Sequence, residues 1–182
     1  MNEIETYPQL DVIFKRRSIR QFKPNSVPTE LIDMLLKAGM AAPSAMNKQP
    51  WEFVVIDSEE ILSHLRTVMP YAPHIAPLAI VTCANMEKRQ TKINADGFWV
   101  QDCSAATENM LLAAVGLGLS AVWIGVYPAP EFVKHIVNAL DIPQHIIPVS
   151  MILVGYGEKV KEPRTQYNPE VVFLNKYGKS EK

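Results

Sequence analysis

Four short apolar runs recur along the chain: "EFVVID" (52–57), "PLAIVTC" (77–83), "SAVWIG" (120–125) and "PVSMILVGYG" (148–157). Each is short and bounded by turn or helix signals, so each reads as a strand. Around them lie segments of helical periodicity: "SVPTELIDMLLKAGMAA" (26–42), "SEEILSHLRTV" (58–68), "FWVQDCSAATENMLLAAVGLG" (98–118) and "APEFVKHIVNAL" (129–140). Helices alternating with apolar strands predict a sheet covered by helices.

The helical segments carry their own start and stop chemistry. In 26–42, Pro28 suits a first turn, Glu30 and Asp33 suit the positive helix end, and Leu31, Ile32, Leu35, Leu36 and Ala38 share a face. The long segment 98–118 places Val100, Cys103, Thr107, Met110, Leu111 and Ala114 on one stripe. Nearer the start, Leu10, Ile13, Phe14 and Arg17 fall at helical spacing and predict a short helix ending near Arg17 or Ser18. "APSAMNKQP" (42–50) has turn chemistry and is expected to be a loop. Residues 158–182 read as an extended arm. It is too apolar around Val171 and Leu174 to float free, and a partner subunit is one surface it could lie on.

The 182 residues, 48% hydrophobic and 20% charged, suit one globular domain over 1–182. A net charge of −1 and a pI near 6.4 argue against a general nucleic-acid binder. No apolar run is long enough to cross a membrane, and "MNEIETYPQLD" is acidic without a signal-type apolar core. Cys83 and Cys103 form no CxxC pair and read as buried reduced thiols, which fits the cytoplasm.

Against this balance, "FKRRSIRQFKP" (14–24) concentrates Lys15, Arg16, Arg17, Arg20 and Lys23. A local cluster in a near-neutral chain suggests a small anionic target. Arg16, Arg17, Ser18 and Arg20 offer guanidinium forks and a hydroxyl, groups suited to a terminal phosphate. Lys161 and Arg164 form a smaller basic group on the arm. A phosphate held by both would close the fold around its ligand. Other motifs lead nowhere. "GLGLSA" (116–121) matches a dinucleotide fingerprint in letters, but a helix precedes it and a strand follows, the reverse of what that site needs. Gly116 and Gly118 read instead as a helix stop. His64, His74, His135 and His145 show no metal-ligand spacing, so no metal is expected, and no GxSxG surrounds a serine.

Taken together, "RRSIRQFKP", "AAPSAMNKQPWEFVVI", "AATENMLLAAVGLGLSAVWIGVYP" and "ILVGYG" resemble the nitroreductase family of FMN-dependent oxidoreductases, over residues 12–164. The resemblance implies an α+β fold, a three-layer α/β/α sandwich with a mixed central sheet. It implies a domain-swapped homodimer with FMN at the interface and arms from about 158 wrapping the partner. It assigns Arg16, Arg17, Ser18 and Arg20 to the flavin phosphate, completed by Arg164 and Lys161. Pro43, Ser44, Ala45 and Asn47 would reach in from the other subunit, with the Asn47 amide on flavin or ribityl atoms and Gln49 and Trp51 packing the loop. Backbone N–H groups of Ile124, Gly125 and Val126 would face flavin N5.

Two positions depart from the family pattern. "MPYA" (69–72) supplies no amide or amine where relatives contact the ring. Asp102 stands where some relatives place a glutamine on the ribityl chain; it either accepts from a hydroxyl there or faces solvent. Residues 86–102 are expected to form a substrate-facing lid, with Phe98 and Trp99 as stacking surfaces or as buried packing. The implied activity is hydride transfer from NADH or NADPH to flavin N5, then ping-pong reduction of a nitroaromatic, a quinone or a similar acceptor. The flavin carries the chemistry and no side chain is a strict catalytic residue. A flavin-binding carrier or sensor, or specialised flavin chemistry of the same family, is the alternative.

Overall fold

The computed structural model describes residues 7–70, 72–89, 91, 97–159 and 161–178. Five α-helices are present in this part of the chain: α1 (Asp11–Lys15), α2 (Thr29–Met40), α3 (Glu59–Val68), α4 (Phe98–Gly116) and α5 (Pro130–Ala139). Four strands form the sheet: β1 (Trp51–Ile56), β2 (Leu78–Asn85), β3 (Ser120–Gly125) and β4 (Ile146–Gly155). Local chemistry sets their ends. The Ser58 hydroxyl accepts the Ile61 N–H and caps α3, while Glu59 and Glu60 sit at its positive end. Pro130 occupies the first turn of α5, where no N–H is needed. Helix α4 stops because Gly118 takes φ 73°, letting its N–H reach the Val115 carbonyl (3.1 Å) and the Leu119 N–H reach that of Ala114 (2.7 Å).

The strand order is β1-β2-β4-β3, and every neighbouring pair is antiparallel. The expected mixed sheet is thereby corrected. Ile56 pairs with Ala79, so the chain leaves β1 and enters β2 at the same end of the sheet. The connection goes out and returns, rather than making the one-way crossover that a parallel pair requires. Among the described residues the parallel contact is an isolated bridge between Ser18, outside the four strands, and Ala121 of β3.

Both faces of the sheet are covered, which is why the strand runs are apolar at successive positions. Leu78, Ile80, Ile152 and Val154 point to Leu35 of α2 and to Met110, Leu111 and Ala114 of α4. Their neighbours Ala79, Val81, Met151 and Leu153 point the other way, to Leu62 and Leu65 of α3 and Ile136 of α5. Helix α4 is also pinned by hydroxyls at the sheet centre. The Thr107 hydroxyl donates to the Cys103 carbonyl (2.8 Å) and lies 2.8 Å from Ser150 Oγ and 3.1 Å from Thr82 Oγ1, all of them buried.

The free edge of β3 is where the two ends of the chain meet. Segment 18–23 meets it at Ala121, where the Ile19 N–H donates to the carbonyl (3.0 Å), and then passes the end of β4, where the Lys23 N–H donates to the Tyr156 carbonyl (2.7 Å). The start of the arm lies against that segment in turn. Phe22 and Gly157 form an antiparallel bridge, and the Glu158 and Arg164 N–H groups donate to Gln21 and Phe14 (3.0 and 3.1 Å). Gly157 is required by close approach, since a Cβ there would sit 2.5 Å from Ser120 Oγ. Beyond it the arm is exposed, with Val171, Val172, Leu174 and Tyr177 uncovered.

Candidate active site

Two cavities flank the segment that runs beside β3. The first, of about 320 Å³, is rimmed by Lys15, Arg16, Arg17, Lys159 and Lys161 over an apolar floor that includes Leu111 and Val115. Cations from both ends of the sequence therefore share one cavity. The Lys161 ammonium donates to the Ser18 carbonyl at 3.0 Å, and the Arg17 guanidinium donates to the Glu162 carbonyl. So much like charge around one space in a chain of net charge −1 makes a focused field for an anion. Arg16 is not wholly free: its Nε lies 3.2 Å from Glu108 Oε1. Burial pushes the Glu108 carboxyl up from its ordinary value, and the Arg16 charge opposes that shift. Glu108 was not singled out from sequence, because nothing in its spacing ties it to residue 16. Arg164 is anchored by its main chain, and its side chain is exposed.

Arg20 turns to the second cavity, of about 450 Å³, which it lines with Pro70, Pro73, His74, Trp123, Ile124 and Gly125. The three backbone groups expected at a ring edge do not share one direction. Main-chain groups of successive strand residues point to opposite edges. Ala121 receives Ile19 on the outer edge, so Trp123 and Gly125 face outward too. Ile124 and Val126 face β4, and the Val126 N–H donates to the Val149 carbonyl at 3.2 Å. Of the three, only Gly125 has its N–H on the outer edge of β3. A Cβ at Gly125 would meet nothing within 4 Å, so a flat molecule can approach its backbone closely.

His74 is a cavity residue that the sequence reading passed over. Residues 69–72, of which Tyr71 lies outside the described residues, supply no amide or amine; the imidazole stands two positions further on. Burial first, and the Arg20 charge second, hold its pKa below the ordinary histidine value.

The loop 42–50 is a third component. Met46, Asn47 and Gln49 all have left-handed φ values (52°, 53° and 48°), costly for Met and Gln. Two hydrogen bonds hold it: Ser44 Oγ accepts the Gln49 N–H, and Asp102 Oδ1 accepts the Ala45 N–H, both at 2.9 Å. Asp102 is only 5% exposed, which removes the solvent-facing alternative, and its Oδ2 has no partner among the described residues. Burial pushes its carboxyl pKa up, with the Ala45 N–H opposing. Pro43 and Asn47 are exposed, Ser44 and Ala45 half-buried. Trp51 is buried as expected, but the Gln49 side chain is exposed and only its main chain ties the loop. Trp99 went to packing, buried edge-on against Tyr127 with ring centroids 4.8 Å apart, and Phe98 is half-buried. Of the expected lid, residues 90 and 92–96 lie outside the described residues.

Within one chain this loop does not reach the cations. It attaches to α4 at Asp102, whereas the basic cavity borders the same helix at Val115. The cavity also borders α4 at Leu111, and Arg16 reaches it at Glu108, so six to thirteen residues at 1.5 Å each, about 9–20 Å along the helix, separate the loop's attachment from the cations.

The sequence profile of the Nitroreductase family matches residues 13–76 and 67–156. The chain belongs to the nitroreductase family. A Methanothermobacter thermautotrophicus protein named as a candidate NADH dehydrogenase/NAD(P)H nitroreductase is 42% identical over 170 residues, covering 92% of this chain and 87% of that one. The crystal structure of a Parabacteroides distasonis protein with the same name superposes with a TM-score of 0.87 at 37% identity, over 93% of this chain and 99% of that one. An FMN-dependent nitroreductase of Clostridium difficile superposes with a TM-score of 0.83 at 31% identity, over 92% and 99%. In this nitroreductase-family chain, no group of His, Cys, Asp and Glu among the described residues is placed to hold a metal. Burial pushes the Cys83 and Cys103 thiols up to about 12, which leaves them protonated and poor nucleophiles. No helix among the described residues is long and apolar enough to cross a membrane.

Proposed function

We propose that this nitroreductase-family protein is an FMN-dependent oxidoreductase that takes hydride from NADH or NADPH and passes electrons to a small acceptor such as a nitroaromatic or a quinone. The observation that carries this reading is the edge of β3. There a cation-rimmed cavity at Ala121 and an open cavity at Gly125 lie along one strand. Four residues at about 3.3 Å put them about 13 Å apart, a span suited to a phosphate, a five-carbon chain and a flat ring. The donor set fits the cofactor's two ends. Arg16, Arg17, Ser18 and Lys161, with Arg164 nearby, would hold the phosphate through charge-assisted hydrogen bonds. Arg20 and the Gly125 N–H would face the ring, with Ile124 and Val126 holding that stretch of β3 to β4.

When bound, FMN supplies the hydride chemistry. The protein positions the cofactor, leaves one ring face open to donor and acceptor in turn, and places positive charge where reduction makes the ring negative. That shared open face is the basis for ping-pong turnover. The helix pairs on opposite faces of the sheet fit the three-layer arrangement. A second copy would complete the site: Pro43, Ser44, Ala45 and Asn47, none of which lines the basic cavity of their own chain, would reach that of the partner. The buried free cysteines fit a reducing, cytoplasm-like compartment.

Reconstitution with FMN tests the reading. The protein should turn yellow, and anaerobic addition of NADH or NADPH should bleach it within seconds. Persistent colour with both donors would instead indicate a flavin carrier. Arg16→Ala with Arg20→Ala removes one cation from each cavity. At about 1.5–3 kcal/mol per charge-assisted hydrogen bond, FMN affinity should fall about a hundredfold or more. A double variant that binds FMN as the parent does would sink the assignment of both cavities to the cofactor.

A further inference from the structure

We propose that His74, beside Arg20 and the open edge at Gly125, is the group that takes up a proton when the ring bound in the second cavity is reduced. This rests on the flavin reading above and adds to it a residue and a proton stoichiometry.

Geometry comes first. His74 lies in "APHIAP" (72–77), where Pro73 and Pro77 restrict the backbone and Ala72 and Ala76 are each 2% exposed. The imidazole is therefore presented from a stiff, anchored connection. It is half-buried and borders two spaces at once. Outward it lines the cavity with Arg20, Trp123 and Gly125; inward it lines a small void with Arg66 of α3.

The charged side chains that line the two spaces are guanidinium groups, Arg20 and Arg66. Arg20 approaches from the segment beside β3, and Arg66 from α3, with its Nη2 paired to Glu59 and its Nη1 buried without a partner among the described residues. The residues that β3 and β4 contribute to these two spaces, Trp123, Ile124, Gly125, Met151 and Leu153, are uncharged. Among the described residues no carboxylate lines either space. Partial burial first and the Arg20 guanidinium second disfavour the charged imidazole, so its pKa lies below the ordinary value. A negative charge arriving in the outer cavity reverses that balance, because the protonated imidazole then gains an opposite charge.

The bookkeeping closes. NADH gives up a hydride, two electrons and one proton, and becomes NAD⁺; the ring gains that hydride and one negative charge. His74 takes one proton from solvent onto its free ring nitrogen. When the acceptor removes the hydride equivalent, the ring returns to neutral and His74 releases its proton. Hydride exchange between NADH and the ring alone consumes no solvent proton, so any pH dependence of that equilibrium counts protons taken up by the site.

The experiment follows from this count. FMN-loaded full-length protein is equilibrated anaerobically with NADH and NAD⁺ at a fixed ratio between about pH 7 and pH 8, and the flavin absorbance is read. The wild-type ratio of reduced to oxidised cofactor should fall toward tenfold per pH unit as pH rises, the signature of one coupled proton. His74→Gln should keep the colour and lose the slope. His74→Lys, with a permanent charge, should also lose the slope while holding the ratio at its low-pH level. A full slope in His74→Gln would overturn the proposal, since the proton would then reside elsewhere. So would a flat wild-type profile, or variants that bind no FMN, which would make His74 an anchoring group instead. A wild-type protein that never binds FMN fails at the earlier step, and the two failures cannot be confused.

Discussion

Asp102 carries a charge into a buried site and receives one hydrogen bond there. Its Oδ1 takes the Ala45 N–H, its Oδ2 takes nothing among the described residues, and burial raises its pKa. The sign matters. A carboxyl whose folded pKa lies above its unfolded value binds protons more tightly when folded. Its contribution thus favours the native state at low pH and is lost as pH rises through the folded pKa. At pH 7 the ionised group is a cost. Asp102→Asn keeps an oxygen for Ala45 and removes the charge. Its thermal midpoint at pH 7 should equal or exceed the parent's, the difference shrinking toward pH 4. Asp102→Ala orphans the Ala45 N–H and should lose about 1–2 kcal/mol, read by denaturant unfolding. A lower midpoint for Asp102→Asn at pH 7 would mean that the negative charge itself holds the loop. None of this was legible beforehand. A sequence shows that a carboxylate sits on an apolar helix, but not that a loop 57 residues away in sequence will bring an amide to it. Nor does it mark Met46 and Gln49 as left-handed, since only asparagine among the three favours that conformation.

At the scale of elements, the segment beside β3 is held by contacts that leave no slack at Gly157. A methyl group there would sit 2.5 Å from Ser120 Oγ and 3.2 Å from Ile19 Cγ2, on the strand and on the segment the arm must approach. Gly157→Ala should lower stability by about 1–3 kcal/mol, the usual cost of overpacking. Amide exchange should accelerate at Lys23 and Glu158, whose N–H groups close this junction, while Thr82 and Met151 in the sheet centre keep their protection. Uniform acceleration across the sheet would show that the edge and core open together. The strands and helices themselves were readable from their periods, and 120–125 agreed at both ends with β3. Their order and direction were not. An apolar run with a helix on either side looks the same whether the connection crosses over or doubles back. Only the pairing of Ile56 with Ala79 distinguishes the two. The cavities followed the same rule. The arginines announced themselves by composition, whereas His74 and Glu108 became site residues only through the packing of 72–77 and α4 beside them.

The whole molecule poses one remaining problem, the surface that a single chain leaves uncovered. Val172 and Leu174 are 53% and 51% exposed on the arm, with Val171 and Tyr177 more exposed still. Isolated apolar side chains on a surface need no explanation, but a run of them on an extended arm does. A second copy would cover the arm and also bring the 43–47 loop to the cations, so dimer formation and flavin retention should be one event. Burying the remaining half of Val172 and Leu174 contributes about 1 kcal/mol each. A symmetric dimer has four such side chains, about 4 kcal/mol together, close to a thousandfold in dissociation constant. Val172→Ser with Leu174→Ser should therefore weaken the dimer by about that factor in sedimentation equilibrium, with the far-ultraviolet circular dichroism of each chain unchanged. On dilution the variant should shed FMN over the same concentration range in which it dissociates, as a site shared between two copies would require. A variant that dissociates but keeps its flavin would confine the site to one chain and separate the arm from it. A parent protein that is monomeric yet yellow would do the same without any mutation.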